Sequence, residues 1–421
     1  MIAAVSVDRV DPPIHAAAPP ALPFHALDLD AEVELDPAIS AEHARPGPGP
    51  PGAFLVTGGT GFLGAHLVSG LLERPAAEVA EVICLVRADS EAAARARLLD
   101  ALRSHQMKAP EDPARLVAVP ADLSRPGLGL AAGRFEELAE RAGAIIHSAA
   151  FVNFVLPYKW HKAANVGATR ELVRMAVTGP LKPLHHLSTA AIFRSDGGPR
   201  VVEVGEDDSI HPFGAGLSHG YPQSKWVAER VVELARGRGV PASIYRLGYV
   251  SGHSATGVSS LDDARALLLR WCVEHRLAPD LRQPVEMTPV DFAVAAILHL
   301  ARQPVPRHRA YHVVNRRGMD WGEVLSALSS LGFPVDRVPY SRWLEEVGRP
   351  PPGQRTAEAS ALLLRERGMH QWLAGQRLEL RTERLDEALR GSGLSCPPFD
   401  AALLERYVAY WVDSGFWRRP R

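Results

Sequence analysis

One run, FLVTGGTGFLGAHLVSGLL at residues 54–72, constrains the fold of this chain more than any other feature. An apolar, β-type stretch passes directly into Gly58, Gly61 and Gly64, spaced G-x-x-G-x-x-G, and then into a helical pattern. A strand that turns tightly into a helix needs glycine for the turn, for close helix–strand packing, and where a backbone must approach a pyrophosphate. The new helix then offers its free N–H groups to phosphate oxygens. The run predicts a dinucleotide loop built from Thr57, Gly58, Thr60, Gly61, Phe62, Leu63 and Gly64.

Further short β-rich runs follow, VICLV, LVAVPAD, AIIHSAA, LHHLSTA and ASIYRLG, with helical stretches between them. Strands alternating with helices specify a parallel sheet covered on both faces. The fold class expected is α/β, a Rossmann-type doubly wound parallel sheet with a mostly helical C-terminal substrate-binding cap. Residues 1–52 read as a flexible N-terminal arm and Pro/Gly hinge, with LDLDAEVELDPAI as a short ordered piece inside it. Residues 53–252, with a return segment 288–316, read as the NADP-binding domain, and 253–287 with 317–421 as the cap.

Composition narrows the function. The chain carries 47 basic and 48 acidic residues, a balance that argues against nucleic acid or an anionic lipid surface as partner. Three scattered cysteines and no H-E-x-x-H among the 17 histidines indicate neither a disulfide framework nor a metal. The N-terminus lacks a signal-peptide pattern and no apolar run reaches membrane-spanning length, so a cytoplasmic setting is expected.

The second strand ends in Leu85-Val86-Arg87, where NAD enzymes place an acidic residue against the ribose 2′-hydroxyl. Arginine suits a 2′-phosphate, which points to NADPH, with Arg95 and Arg97 as candidates for a second cation. Asp122 ends the third strand, either beside the adenine or as a turn-starting aspartate. Tyr221 and Lys225, in GYPQSKW, lie four apart on one helical face. A lysine ammonium nearby favours the phenolate and so lowers the tyrosine pKa, suiting Tyr221 to proton transfer. Thr189, at the end of LHHLSTA with Ser188 as neighbour, is placed to bind a carbonyl oxygen with it. His147 reads as packing near the cofactor.

With these residues in hand the chain resembles the extended short-chain dehydrogenases/reductases. Within them it resembles the thioester reductase domains that terminate nonribosomal peptide synthetases, polyketide synthases and carboxylic acid reductases. The resemblance spans about residues 27–417 and rests on TGGTGFLG, LVRA, HSAAFVNFVLPY, NVGATREL, STA, GYPQSKWVAE, YRLGYVSGHSATG, PVDFAVAAILHLA and YVAYWVDSGFW. It departs from the family pattern at Ser148, where asparagine is usual, and at Ala121, where glycine is usual.

The resemblance implies that the glycine loop, Arg87, Arg97, Asp122, Leu123, Lys225 and Gly248 hold NADPH. It makes Thr189, Tyr221 and Lys225 the catalytic set, with Asn165 supporting the site's polar network. His211–Ser218 and Ser254–Asp263 would line the substrate mouth. It implies reductive release of an acyl or peptidyl thioester, borne on a carrier protein's phosphopantetheine arm, as an aldehyde or further as an alcohol. No adenylation domain fits before residue 53 and no carrier-type serine motif is seen, so the thioester is expected in trans, from a carrier or from coenzyme A. Basic stretches at Arg302–Arg309 and Arg316-Arg317 would steer an acidic carrier. The alternatives are a fatty acyl-CoA reductase, another extended family member such as a nucleotide-sugar enzyme, and an NADP-binding regulator without turnover.

Overall fold

The computed structural model describes residues 27–47, 52–153, 155–194, 201–303, 310–347 and 377–418. Residues 1–26, the middle of the Pro/Gly hinge, Phe154 of the HSAAFVNFVLPY run and residues 304–309 of the Arg302–Arg309 stretch lie outside them.

Seven strands form the central sheet: β1 (Ala53–Thr57), β2 (Glu81–Val86), β3 (Leu116–Pro120), β4 (Ala144–His147), β5 (Leu184–Thr189), β6 (Ala242–Leu247) and β7 (Ala310–Val313). Every pairing is parallel, and the order across the sheet is β3-β2-β1-β4-β5-β6-β7. This is the doubly wound order extended by one strand. Its direction reverses between β1 and β4, the crevice where such sheets bind ligands.

The strands are apolar on both faces because helices cover both. Leu55, Ile83 and Ile145 pack with α3 (Arg134–Arg141), α4 (Ala168–Val177) and α5 (Gly220–Gly237). Their neighbours Phe54, Val56, Cys84 and Ile146 face α1 (Phe62–Leu72), α2 (Glu91–Ser104) and α7 (Val290–Ala301). The two-residue period of a strand produces this split. A separate core forms the cap. There α6 (Ala264–His275), α8 (Trp321–Ser330), α9 (Tyr340–Val347) and α10 (Ala401–Asp413) surround Trp271, Trp321, Trp343, Trp411 and Trp417.

Two peripheral segments bear on the expected boundaries. Within the stretch assigned to arm and hinge, the LDLDAEVELDPAI piece is ordered as expected and packs on the body, with Leu29, Leu35 and Ile39 buried. Arg238 donates to the Leu35 and Asp36 carbonyls at 3.2 and 2.6 Å, and Lys162 pairs with Glu32 at 2.7 Å. Glu32 therefore binds one of the chain's own cations, Arg238 holds the backbone, and the leucines between supply apolar burial. Residues 377–389, assigned to the cap, differ from the expectation. Arg377–Leu380 pairs in parallel with Val201–Val204, and Leu385, Ala388 and Leu389 join the core beneath α7. No helix among the described residues is long and apolar enough to cross a membrane. Among those residues, no group of three or more His, Cys, Asp or Glu could hold a metal ion.

Candidate active site

The glycine loop leaves β1 at the sheet's reversal point. Gly58 turns the chain at φ +77°, and a Cβ there would lie 2.6 Å from the Ala149 nitrogen. A Cβ on Gly64 would lie 2.0 Å from the Gly58 carbonyl oxygen, so this glycine sets how closely α1 approaches the loop. Gly61 is different: it is exposed, and its added Cβ meets no atom closer than 3.4 Å. The space in front of Gly61 is open, which fits a phosphate approaching the backbone at the uncapped start of α1. Thr60, Phe62 and Leu63 are half-buried around it. Thr57 is turned inward; its hydroxyl meets His147 Nδ1 at 2.8 Å and accepts from the Ala149 N–H at 3.2 Å.

Beyond the loop, Arg87, Arg97 and Asp122 line one open cavity of about 870 Å³ with Ser90, Arg125 and Arg134. Arg87 and Arg97 are both exposed, and Arg97 donates to the Arg87 carbonyl, tying α2 to the end of β2. Asp122 forms a turn, accepting from the Ser124 hydroxyl at 2.6 Å and its N–H at 3.0 Å. Those bonds, with Arg125 and Arg87 nearby, hold its carboxyl below the usual range. Leu123 packs against the adjoining core. Arg95 is a correction: its guanidinium donates to the Leu116 and Pro113 carbonyls at 2.7 and 2.9 Å, fastening α2 to β3.

The other end of the site lies where β5 and β6 finish. Thr189 and Leu247 are register partners, so Gly248 follows directly beside Thr189. A Cβ on Gly248 would lie 2.6 Å from the half-buried Glu286 carboxylate. Tyr221, in the first turn of α5, hydrogen-bonds Thr189. Thr189 Oγ1 also accepts from the Ala191 N–H at 3.2 Å. Burial pushes the Tyr221 phenol up to about 12, and the Thr189 bond works against this. The expected lowering by Lys225 is not found. Lys225 Nζ donates to the Leu187 carbonyl at 2.5 Å and meets His186 Nε2 at 3.3 Å. Burial brings that ammonium down to about 8, with Glu229 opposing.

Asn165 sits in a π-helical turn, Lys162–Gly167, ahead of α4. Its oxygen accepts from the Phe151 N–H at 2.7 Å, and its amide donates to Ser224 at 2.8 Å, which in turn donates to the Tyr221 carbonyl at 2.7 Å. It thus ties the loop after β4 to the turn that carries Tyr221. Burial lowers His147 to about 3, so the ring is neutral; Thr169 donates to Asn165, so His147 Nε2–H donates to Thr169 and Nδ1 accepts from Thr57. Sequence reasoning does not single out Ser224 or Glu229, although Glu229 continues the four-residue spacing of Tyr221 and Lys225. The Ser254–Asp263 segment is held between α7 and α10 by Ser254 to Asp291 at 2.6 Å and Arg406 to Ser254 at 2.8 Å.

The sequence model of an NAD-binding family described as male sterility protein matches residues 56–297. The crystal structure of the terminal R domain from the myxalamid PKS-NRPS biosynthetic pathway is 34% identical. The two superpose with a TM-score of 0.86, covering 93% of this chain and 99% of that one. The chain belongs to this family of terminal reductase domains. The isonitrile lipopeptide synthase of Streptomyces coeruleorubidus is 37% identical over 414 residues, which are 95% of this chain and 27% of that protein. The aldehyde reductase lnbA of Aspergillus flavus is 36% identical over 85% of this chain, which spans 34% of it. This terminal-type reductase thus matches only a minor part of much longer relatives. Its family uses a nicotinamide cofactor, and the open ground before Gly61 and the cavity beyond Arg87 fit one.

Proposed function

We propose that the protein is an NADPH-dependent reductase that releases an acyl or peptidyl thioester, borne on a carrier protein's phosphopantetheine arm, as an aldehyde. The observation that carries this reading is the pairing of Thr189 and Tyr221 at a strand end, above a buried Lys225. Two hydroxyls converging there suit a carbonyl oxygen that gains negative charge. The kinship with assembly-line reductase domains supports a thioester as the carbonyl compound. The arm is supplied from outside these residues, which contain no carrier-type serine motif.

Gly58, Gly61 and Gly64 would hold the cofactor's pyrophosphate, Arg87 and Arg97 its 2′-phosphate, and Lys225 its nicotinamide ribose. When bound, the reduced nicotinamide supplies the hydride. The chain's own residues handle the oxygen and the proton. Thr189 and Tyr221 would both present their hydroxyls to the substrate carbonyl oxygen, and Tyr221 would give it the phenol proton. The high pKa of Tyr221 keeps that proton in place at neutral pH until the carbonyl oxygen becomes basic. The resulting hemithioacetal loses its hydroxyl proton to Tyr221 as the C–S bond breaks. The aldehyde and the thiolate leave, and the thiolate takes its proton from solvent. A free acid offers no such leaving group and is ionised, so it is not reduced.

The test is to give the protein NADPH with one acyl group as free acid, coenzyme A thioester and carrier thioester, and follow aldehyde by mass spectrometry. Turnover of the carrier form and none of the free acid is expected. Turnover of the free acid without ATP would overturn the mechanism. Turnover of the coenzyme A form far above every carrier form would reassign the donor.

A further inference from the structure

Three consecutive residues of β5 are each gripped by a different turn of α5. Tyr221 reaches Thr189, Lys225 reaches the Leu187 carbonyl, and Glu229 reaches Ser188. The first two contacts belong to the site already described. The third belongs to a buried carboxylate that the mechanism does not use.

Glu229 is fully buried, at 0% exposure. Ser188 Oγ donates to Glu229 Oε2 at 2.6 Å, and Arg246 Nε donates to Oε1 at 2.8 Å. Ser188 and Arg246 are themselves register partners on β5 and β6. One carboxylate therefore clamps two neighbouring strands to one helix, at the residue preceding Thr189. Arg246 is anchored in turn, with Nη1 donating to the Glu206 carbonyl at 3.3 Å and meeting His312 Nε2 at 3.1 Å. A fully buried ion pair is a poor source of stability compared with apolar packing of the same volume. Its geometry, two charge-assisted bonds aimed at successive strands, is rigid and specific.

We infer that Glu229, held by Arg246 and acting through Ser188 and Lys225, is a positioning residue for the Thr189–Tyr221 pair. Two effects follow. Through Ser188 it sets the height of Thr189 relative to the first turn of α5, and hence the distance between the two hydroxyls. Through its charge it favours the ammonium form of Lys225, one turn away on the same helix. The other groups facing Lys225 are His186 on β5 and His147 on β4, both neutral because buried, and Tyr221 on α5. Glu229 is the one anion that acts on Lys225 among the described residues. The inference rests on the reductase reading above.

The experiment compares Glu229→Gln and Ser188→Ala with the unaltered protein, measuring kcat and KM for an acyl thioester, NADPH affinity and the pH profile of kcat. Measured at pH 6, below the alkaline limb, Glu229→Gln should lower kcat about 100-fold, the cost of misplacing reacting groups by about 1 Å, with KM and NADPH affinity within about twofold. Its alkaline limb should move to lower pH, because Lys225 loses the anion that holds its proton. Ser188→Ala keeps the Glu229–Arg246 pair and breaks a single bond. It should lower kcat about tenfold, the worth of one bond to a charged group, and leave the alkaline limb in place. If Glu229→Gln does not fold, Ser188→Ala decides alone. Normal kcat in a folded Ser188→Ala, or an unmoved pH profile with normal kcat in Glu229→Gln, overturns the inference. Failure of the unaltered protein to reduce any thioester instead overturns the reductase reading on which it stands.

Discussion

Lys225 spends its ammonium on the carbonyl oxygen of Leu187, 2.5 Å away, and leaves the acidity of Tyr221 to Thr189. The sequence pattern Y-x-x-x-K suggests a lysine that lowers the tyrosine pKa. Here the lysine braces the strand behind the reacting oxygen, and the phenol stays protonated. In the proposed mechanism Tyr221 gives the proton and Lys225 meets a ribose hydroxyl of the cofactor.

A pH dependence follows from this arrangement. Burial lowers Lys225 to about 8, so its charged form predominates below that value and is lost as pH rises through it. NADPH affinity should fall above about pH 8, while Tyr221, pushed up to about 12, does not titrate in that range. Affinity measured from pH 6.5 to 9.5 checks this; a flat profile would deny Lys225 a role in cofactor binding.

Tyr221→Phe should lose about 10²–10⁴ in kcat while binding NADPH normally, because the hydroxyl acts on the substrate carbonyl. The phenyl ring keeps the packing against His161, whose ring centre lies 6.4 Å away. Stopped turnover with unchanged cofactor titration is the expected pair of results. Near-normal aldehyde formation would remove Tyr221 from the chemistry.

The loop glycines separate into two kinds. Gly64→Ala places a Cβ 2.0 Å from the Gly58 oxygen, so it should lower thermal stability and cofactor affinity together. Gly61→Ala meets nothing closer than 3.4 Å within the chain, so its stability should stay within about 0.5 kcal/mol of the parent while NADPH affinity falls. Thermal melts with and without NADPH distinguish the two. Undiminished affinity in Gly61→Ala would mean that no phosphate approaches there.

Arg87→Asp should weaken NADPH by roughly 1.5 kcal/mol, about tenfold, the low end for a charge-assisted bond because Arg87 is exposed to solvent. NADH, lacking the 2′-phosphate, should be little affected. Arg95→Ala should lower stability without changing either affinity, since its guanidinium serves the Leu116 and Pro113 carbonyls. Isothermal titration with both cofactors, with a thermal melt of Arg95→Ala, checks all three; equal affinity of the unaltered protein for NADH and NADPH would contradict the role given to Arg87.

The parts of this fold legible in the sequence are those written locally. The loop glycines, the strand-ending Thr189 and the four-residue spacing of Tyr221 and Lys225 each need only their neighbours in the chain. What is not legible depends on partners far apart. Arg95 and Arg97 sit on the same helix two residues apart, yet only the packing of α2 on β3 turns one toward backbone carbonyls and leaves the other at the cavity. Residues 377–389 read as helical cap, but Arg377–Leu380 finds an edge at Val201–Val204, which no local pattern announces. The bond from Lys225 to Leu187 needs the register of β5 against α5, a tertiary quantity.

The central claim is that this chain transfers a hydride from NADPH to a thioester carbonyl. The most direct test is a single-turnover reaction with NADPH deuterated at the transferring position and a carrier-bound acyl thioester, with mass analysis of the released product. One deuterium at the former carbonyl carbon of an aldehyde, with the free thiol left on the carrier arm, is the predicted result. Release of the free acid, or of an aldehyde without deuterium, would contradict it.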